Sequence, residues 1–507
     1  MVFIPQMSVV ISKISLLLSG EINIKMADSA LKKKTTRSLF WSFVDKFGQQ
    51  ILNFVSMLVL MNIVAPEAYG LIGSLAVFTV FSTILIDSGF GRALLNRKDI
   101  TDVDYSSVFY FNISLALLLY LILFFITPFL GIVFNTPEIV SIARVMFLSI
   151  ICNAFGLIPQ TIITLRADFK GITKINLFAM LLANVIAIVM AISGYGVWAL
   201  VAQILLLAVL RSLFLWFYTR WHPRIIFSGK KLKSFFAFSN RLLCSSIISG
   251  ITNNIYPSLI AAYYPMQQVA YFNQAKKYQD IPFLTLSNTF RSVAMLILSE
   301  INEERERLVR VVSKLIKSIA FLSFPIGLLM VLLGEPLFYL FFKEKWLASV
   351  PFFQVLTFAG MLSPFVFIFN ELFIAKERSA FFLGLEIVKG VVLILLIVLL
   401  FPKGVMALAV SWIVYMVITL SISVFLSGRL IGYRLSHFLR DTSPYLLTAL
   451  VSVGAAYFTT LALHHTLLYI TVNFFIASVL YLLICKGLKL EMLKEIEDWF
   501  AVFKRKK

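Results

Sequence analysis

Fourteen stretches of about twenty mostly apolar residues follow one another along the chain, and about twenty such residues are what an α-helix needs to cross a bilayer. They lie near residues 39–64, 70–90, 107–132, 139–164, 174–193, 197–218, 236–262, 270–299, 310–333, 350–374, 380–401, 404–427, 443–463 and 467–485. They take up most of the 507 residues, 60% of which are hydrophobic and only 14% charged. One soluble core could not bury so much apolar surface, so an ordinary water-soluble globular fold is excluded. Inside hydrocarbon, segments of this length satisfy their backbone N–H and C=O groups as helices, which predicts an all-α polytopic membrane protein of about 14 transmembrane helices. Connectors of a few residues, such as Phe401 to Gly404 or Leu463 to Thr466, leave no room for an external catalytic domain, so function must lie within the bundle.

The net charge of +20 is informative through its position. With the first connector, Ala65 to Gly70, placed outside and basic residues at inner helix ends counted with the inner connectors, 34 Lys and Arg are inside, 3 outside and 8 within spans. That bias puts both termini in the cytoplasm. The basic excess is then a topology signal and a contact with anionic lipid head groups, and nucleic acid is not an expected partner. Residues 1–25 hold an apolar run, Ile14 to Leu18, too short to span and lacking a cleavage pattern, so they read as an upstream extension; Met26, ahead of Lys32, Lys33, Lys34 and Arg37, is the more natural start. Residues 488–507 alternate apolar and charged positions at helical spacing, as an amphipathic helix on the inner membrane face does.

Ionisable side chains inside spans are costly in lipid and so point to wet or paired interiors. Span one carries Asp45 and Lys46, span two Asp87, span four Arg144, span six Arg211 and span seven Arg241. Span eight has most, with Lys276, Lys277, Asp280 and Arg291; Glu371 lies in span ten, and Glu386 and Lys389 in span eleven. Cations outnumber anions, and a low-dielectric cavity with surplus positive charge attracts an anion such as a diphosphate. The expected substrate-binding cations are Arg291, Lys276, Lys277, Arg144, Arg241 and Lys46, and the expected ion-coupling acids are Asp45, Asp87, Asp280 and Glu386. Plainer roles compete. Arg211, Arg241 and Glu371 lie close enough to the inner end to snorkel. Lys276 and Asp280, four apart, can pair on one helix face, which Lys277 does not share equally. Asp45 and Lys46 can hold each other, and Asp87 can be a cap.

No enzyme constellation emerges. His222 and His437 fall in inner connectors and His464-His465 in an outer turn with no carboxylate or cysteine nearby; Cys152, Cys244 and Cys485 are far apart in apolar runs. There is no P-loop or dinucleotide fingerprint, so neither metal nor cofactor is expected. A weak self-similarity about 200 residues apart relates the turn PEAYG from Pro66 to PMQQVA from Pro265, each following one span and entering an aromatic-rich helix. Two six-span halves in the same orientation are a transporter architecture with the site between the halves.

Three further runs carry a resemblance: DSGFGRALLNRKDIT from Asp87, LRADFK from Leu165 and GYGVWAL from Gly194, with KEKW from Lys343 in the same pattern. They resemble the signatures of bacterial polysaccharide exporters, more narrowly the colanic-acid and teichuronic-acid type of Wzx-like lipid-linked oligosaccharide flippase, in the multidrug/oligosaccharidyl-lipid/polysaccharide exporter superfamily. The resemblance implies two six-helix lobes around a central cavity plus two C-terminal helices. It would divide the chain into an N-terminal extension (1–37), a first lobe (38–218), a cytoplasmic linker (219–235), a second lobe (236–427), two last spans (428–485) and a cytoplasmic tail (486–507). It also implies a multi-pass protein of the bacterial inner membrane whose substrate is an oligosaccharide repeat unit on undecaprenyl pyrophosphate, with membrane lipids, a polysaccharide polymerase and glycosyltransferases as surrounding partners. A drug antiporter of the same superfamily would use buried carboxylates with few cations, and a membrane-embedded glycosyl- or acyltransferase would need larger connectors. The cation surplus and short connectors favour the flippase. A reporter fused after Pro402 should read as external and one after Arg440 as internal; an external C-terminal reporter would overturn this topology.

Overall fold

The computed structural model describes residues 29–87, 90, 94, 100–301, 303–376, 379–461, 463 and 465–495; the side chains of 29–39, 230, 234–242, 244–245, 292, 296, 299 and 379–383 are outside the description. The expectations for residues 1–25, Met26, most of the run after Asp87, Arg241, Cys244, His464 and residues 496–507 therefore lie outside the described residues or side chains.

The described residues are helical throughout, with no strand among them. In chain order the α-helices are α1 (Ser29–Ile63), α2 (Pro66–Ser74), α3 (Ala76–Asp87), α4 (Asp102–Val133), α5 (Ile139–Leu165), α6 (Phe169–Ile192), α7 (Val197–Thr219) and α8 (Gly229–Tyr263). They continue as α9 (Met266–Glu300), α10 (Arg305–Phe342), α11 (Val350–Ala375), α12 (Ser379–Leu400), α13 (Val405–Leu430), α14 (Leu435–Thr460) and α15 (Thr466–Gly487). The fourteen expected spans fall on α1, on α2 and α3 together, and on α4 to α15 in turn. Ten of these pass a length and hydropathy test for membrane crossing among the described residues. The others, α1, α8, α9 and α14, are more polar. Large apolar side chains such as Phe125, Phe217 and Val398 remain exposed on the helix surfaces, as lipid-facing positions require.

The resembling motifs do their work at helix ends. Asp168 of LRADFK caps α6 by accepting the Gly171 N–H at 3.0 Å, and the Tyr218 hydroxyl donates to the same carboxylate. In GYGVWAL the turn from α6 to α7 needs Gly194 at φ +85° and Gly196 at φ +52°, which glycine adopts without steric cost. Asp104 accepts the Thr101 N–H at 2.9 Å at the start of α4, and Lys231 joins them at 2.8 Å. Trp346 of KEKW is fully buried.

Helix contacts divide the chain into two compact units, one of the described residues within Lys25–Asn273 and one of those within Gln274–Lys507. In the first, α7 packs on α5 and α6, α4 on α5, α1 on α6, and α8 on α2, α3 and α4. The lobes expected at 38–218 and 236–427 rest on the sequence repeat; the division by contact comes later, because α8 is packed on the helices that precede it. The repeat-related turns meet inside this unit: Gln267 Nε2 donates to Glu67 Oε1 at 2.6 Å, and a Cβ at Gly70 would stand 2.0 Å from the Met266 carbonyl oxygen. Only a residue without a side chain permits that approach.

In the second unit α10 packs on α11 and α14, α13 on α11 and α12, and α14 on α15. Gly360 of α11 lets α9 come close, since a Cβ there would lie 2.5 Å from the Phe283 ring. The described part of the tail is seated on this unit. Met492 is buried beside Ser318 and Tyr445, Glu491 pairs with Lys317 at 2.5 Å, and Glu495 pairs with Lys314 at 3.0 Å. Nearby, burial and then the charge of Asp441 push the Tyr433 phenol well above its ordinary pKa, keeping it a donor to Asp441 at 2.8 Å. Replacing Asp168 with Ala should cost about 1–2 kcal/mol through loss of the α6 cap, read as a lower melting temperature of the purified protein; an unchanged melt would show the cap to be dispensable.

Candidate functional site

Within the first unit the N-terminal half of α1 faces α5, α6 and α7 across a cavity of about 330 Å³. Its polar lining comes from Asp45, Lys46 and Gln49 of α1, Gln160 and Thr164 of α5, Asn176 of α6 and Arg211 of α7. Asp45 is only 8% exposed and accepts from Asn176 Nδ2 at 3.1 Å. Arg211 Nη2 donates to Gln160 Oε1 at 2.9 Å, while its buried Nε has no partner among the described residues. Lys46 is exposed at the cavity. One carboxylate and two cations thus share a space able to hold several waters, and the site can take up a proton or cation at Asp45 or present donors to an anion from Arg211 and Lys46.

A polar seam continues along the same face of α1. Thr173 donates to the Trp41 carbonyl at 3.0 Å; farther along, Asn184 donates to the Leu52 carbonyl at 3.3 Å, and Gln203 donates to Asn184 at 2.9 Å and to Ser56 at 3.1 Å. Trp41, Asp45, Leu52 and Ser56 recur at spacings of 4, 7 and 4 and so share one helix face. Sequence reasoning singled out Asp45 and Lys46 but missed Gln49, Gln160, Thr164, Asn176, Asn184 and Gln203. The face carrying Asp45 and Ser56 was the available signal.

The second unit arranges its charges differently. Lys276 pairs with Asp280 at 2.8 Å, as the spacing of four predicts, and its ammonium lies 5.2 Å from the Trp412 ring centre. Gln279 donates to the same carboxylate. Arg291 is bound to Glu371 of α11 at 2.6 Å; the arginine is half exposed, whereas the glutamate is buried. Glu386 and Lys389 form a buried pair at 2.8 Å within α12. Lys277 is exposed and has no ion pair among the described residues, although it lies eleven residues into α9, about 16 Å from its first residue at 1.5 Å per residue.

The remaining candidates are dispersed. Arg144 donates to Thr127 at 3.1 Å and stacks 4.1 Å over the Phe124 ring, between α4 and α5. Asp87 is exposed as the last residue of α3. Arg241 belongs to α8, with its side chain outside the description. Among the described residues no group of three His, Cys, Asp or Glu is placed to hold a metal ion.

A family described as "Polysaccharide biosynthesis protein" matches residues 59–351. The teichuronic acid biosynthesis protein TuaB of Bacillus subtilis (strain 168) is 26% identical over 438 residues, covering 84% of this chain and 89% of its own. The succinoglycan biosynthesis transport protein ExoT of Rhizobium meliloti (strain 1021) is 25% identical over 340 residues, 67% of this chain and 69% of its own. Among solved structures, the lipid II flippase MurJ in an inward closed conformation shares the fold with a TM-score of 0.75 at 15% identity, over 90% of this chain and all of that one.

Truncating Arg291 to Ala strands the buried Glu371 carboxylate, so the yield of folded protein should fall, and adding Glu371→Gln should restore it. Lys277→Ala, which removes no pairing partner, should leave the yield unchanged. Equal yields for both single variants would show that Arg291 does not hold α9 to α11.

Proposed function

The chain belongs to the polysaccharide biosynthesis protein family, and from that premise we propose that it flips oligosaccharide repeat units carried on undecaprenyl pyrophosphate across the bacterial inner membrane by alternating access. On this reading both termini are cytoplasmic, the chain transports and catalyses no covalent step, and the translocated units feed assembly of a surface polysaccharide.

The observation that carries the reading is the Lys277 ammonium, which has no ion-pair partner among the described residues although it lies about a third of the way along α9. An unpaired charge at that depth is expensive in hydrocarbon and is retained where water or an anionic ligand reaches it. A sugar-diphosphate head group cannot enter about 30 Å of hydrocarbon unaided, because its charges and hydroxyls would lose their hydration. Cations in a wet interior replace that hydration, while the polyprenyl tail stays in lipid. Lys277 and Lys276 are assigned to the diphosphate, Arg291 serves mainly to hold Glu371, and Lys46 and Arg211 form a second cationic station in the first unit.

The meeting of the Glu67 and Gln267 turns supports a gate. With the first connector outside, these turns belong to the external end, and their contact across Gly70 closes it. Coupling is assigned to Asp45, whose carboxylate lies in a cavity large enough for several waters with one amide donor, while Asp280 and Glu386 are each engaged by a lysine on their own helix. An ion-coupled antiport therefore depends on Asp45 rather than on the paired acids.

The test uses reconstituted vesicles. Lys277→Ala should reduce flipping of lipid-linked oligosaccharide at least tenfold with normal protein yield, and Lys277→Arg should retain part of it. In addition, Glu67→Cys with Gln267→Cys, joined by a short thiol-reactive cross-linker, should stop flipping. Normal rates in Lys277→Ala would remove the central residue of this reading, and normal rates in the cross-linked protein would remove the gate.

A further inference from the structure

A second cavity, of about 560 Å³, opens in the second unit where the ends of α10 and α11 meet those of α14 and α15. Its polar and aromatic lining includes Glu335 and Tyr339 of α10, Gln354 of α11, Tyr457 of α14, and Thr466 and Tyr469 of α15. Among the described residues no lysine, arginine or histidine lines the cavity. Glu335, the one carboxylate among the described lining residues, would repel a phosphate, which sets the cavity apart from the lysine-bearing stretch of α9. Tyr339 and Tyr457 are 49% and 42% exposed, and the Tyr457 ring meets that of Phe458 at 5.5 Å, so both residues keep surface open for contact. Gln354 is held in place because its Nε2 donates to the Val331 carbonyl at 3.0 Å. Its Oε1 is then presented as an oriented acceptor.

We propose that this cavity is a carbohydrate-binding subsite that receives the sugar rings of the substrate apart from their diphosphate. A pyranose offers an apolar C–H face and a rim of hydroxyls. Tyrosine faces suit the first, while a carboxylate, an amide oxygen and the Thr466 hydroxyl suit the second. The volume lies in the range of small-molecule sites. Tyrosines also anchor helices at membrane interfaces, but that duty puts rings against lipid and needs neither Glu335 nor an oriented Gln354. The charge bias places these helix ends outside, so the subsite would hold the glycan where it emerges. The assignment of substrate sugars rests on the flippase reading; the binding of sugars does not.

The experiment presents purified protein in lipid nanodiscs to an array of lipid-free, phosphate-free oligosaccharides from bacterial surface polysaccharides. At least one should bind, and Tyr457→Ala and Glu335→Gln should each weaken binding about fivefold to tenfold. Both side chains are exposed, so the yield and melting temperature should match those of the unaltered protein. Binding by no oligosaccharide, unchanged binding in both variants, or equal competition by glycerophosphoethanolamine would overturn the proposal, the last by marking a lipid head-group site. Flipping of lipid-linked substrate is measured on the same preparations. Glycan binding without flipping would sink the transport reading and uphold the subsite, and flipping without glycan binding would do the reverse.

Discussion

A polar group carried into hydrocarbon has no water to bond with, so its partner must come from the protein. That requirement organises both units. In the first, Trp41, Asp45, Leu52 and Ser56 on one face of α1 find partners in Thr173, Asn176, Asn184 and Gln203, and α1, α6 and α7 are thereby held in register. In the second, Arg291 and Glu371 tie α9 to α11, and the Lys276 ammonium rests near Trp412. Each link costs less made than broken, because removing one partner leaves the other buried alone. The charges left over after this pairing are few. Lys277 and Lys46 are exposed, and Arg211 keeps an unused buried donor.

Those leftovers separate structural charge from functional charge. A paired ion in a span holds helices together, whereas an unpaired one demands water or a ligand. By that criterion Arg291, one of the substrate-binding cations expected from sequence, becomes chiefly a tie to Glu371. The plainer Lys277 becomes the position of interest. The same criterion sorts the acids: Asp280 and Glu386 have lysines on their own helices, and Asp45 has an amide and a cavity.

The number and order of the helices were legible in the sequence because an apolar run of about twenty residues has one physical meaning in a bilayer. The Lys276–Asp280 pair was legible for the same local reason, a spacing of four on one helix. The Asp168 cap and the Gly194–Gly196 turn explain why two of the resembling motifs hold those residues. What was not legible required contact between distant residues. Asn176, Asn184, Gln160 and Gln203 are uncharged and hardly disturb an apolar window, so the sequence did not mark them as the residues that would gather along the face of α1 carrying Asp45 and Ser56. The Arg291–Glu371 pair joins residues 80 apart, and the closeness of Gly70 to Met266 shows only when the two similar turns are in place. The docking of Met492 and Glu491 on α10 and α14 was likewise not legible, since helical spacing alone does not say whether an apolar stripe meets lipid or protein.

The central claim is that the chain moves a glycan-bearing lipid from the inner to the outer leaflet, and its most direct test is where that lipid collects when the protein is absent. In a deletion strain, lipid-linked repeat units would be labelled by a membrane-impermeant glycan-oxidising reagent in right-side-out and in inverted membrane vesicles. The account predicts accumulation that is protected in right-side-out vesicles and labelled in inverted ones, reversed by restoring the gene. Accumulation open to the reagent in right-side-out vesicles would contradict it, because translocation would then have taken place without this protein.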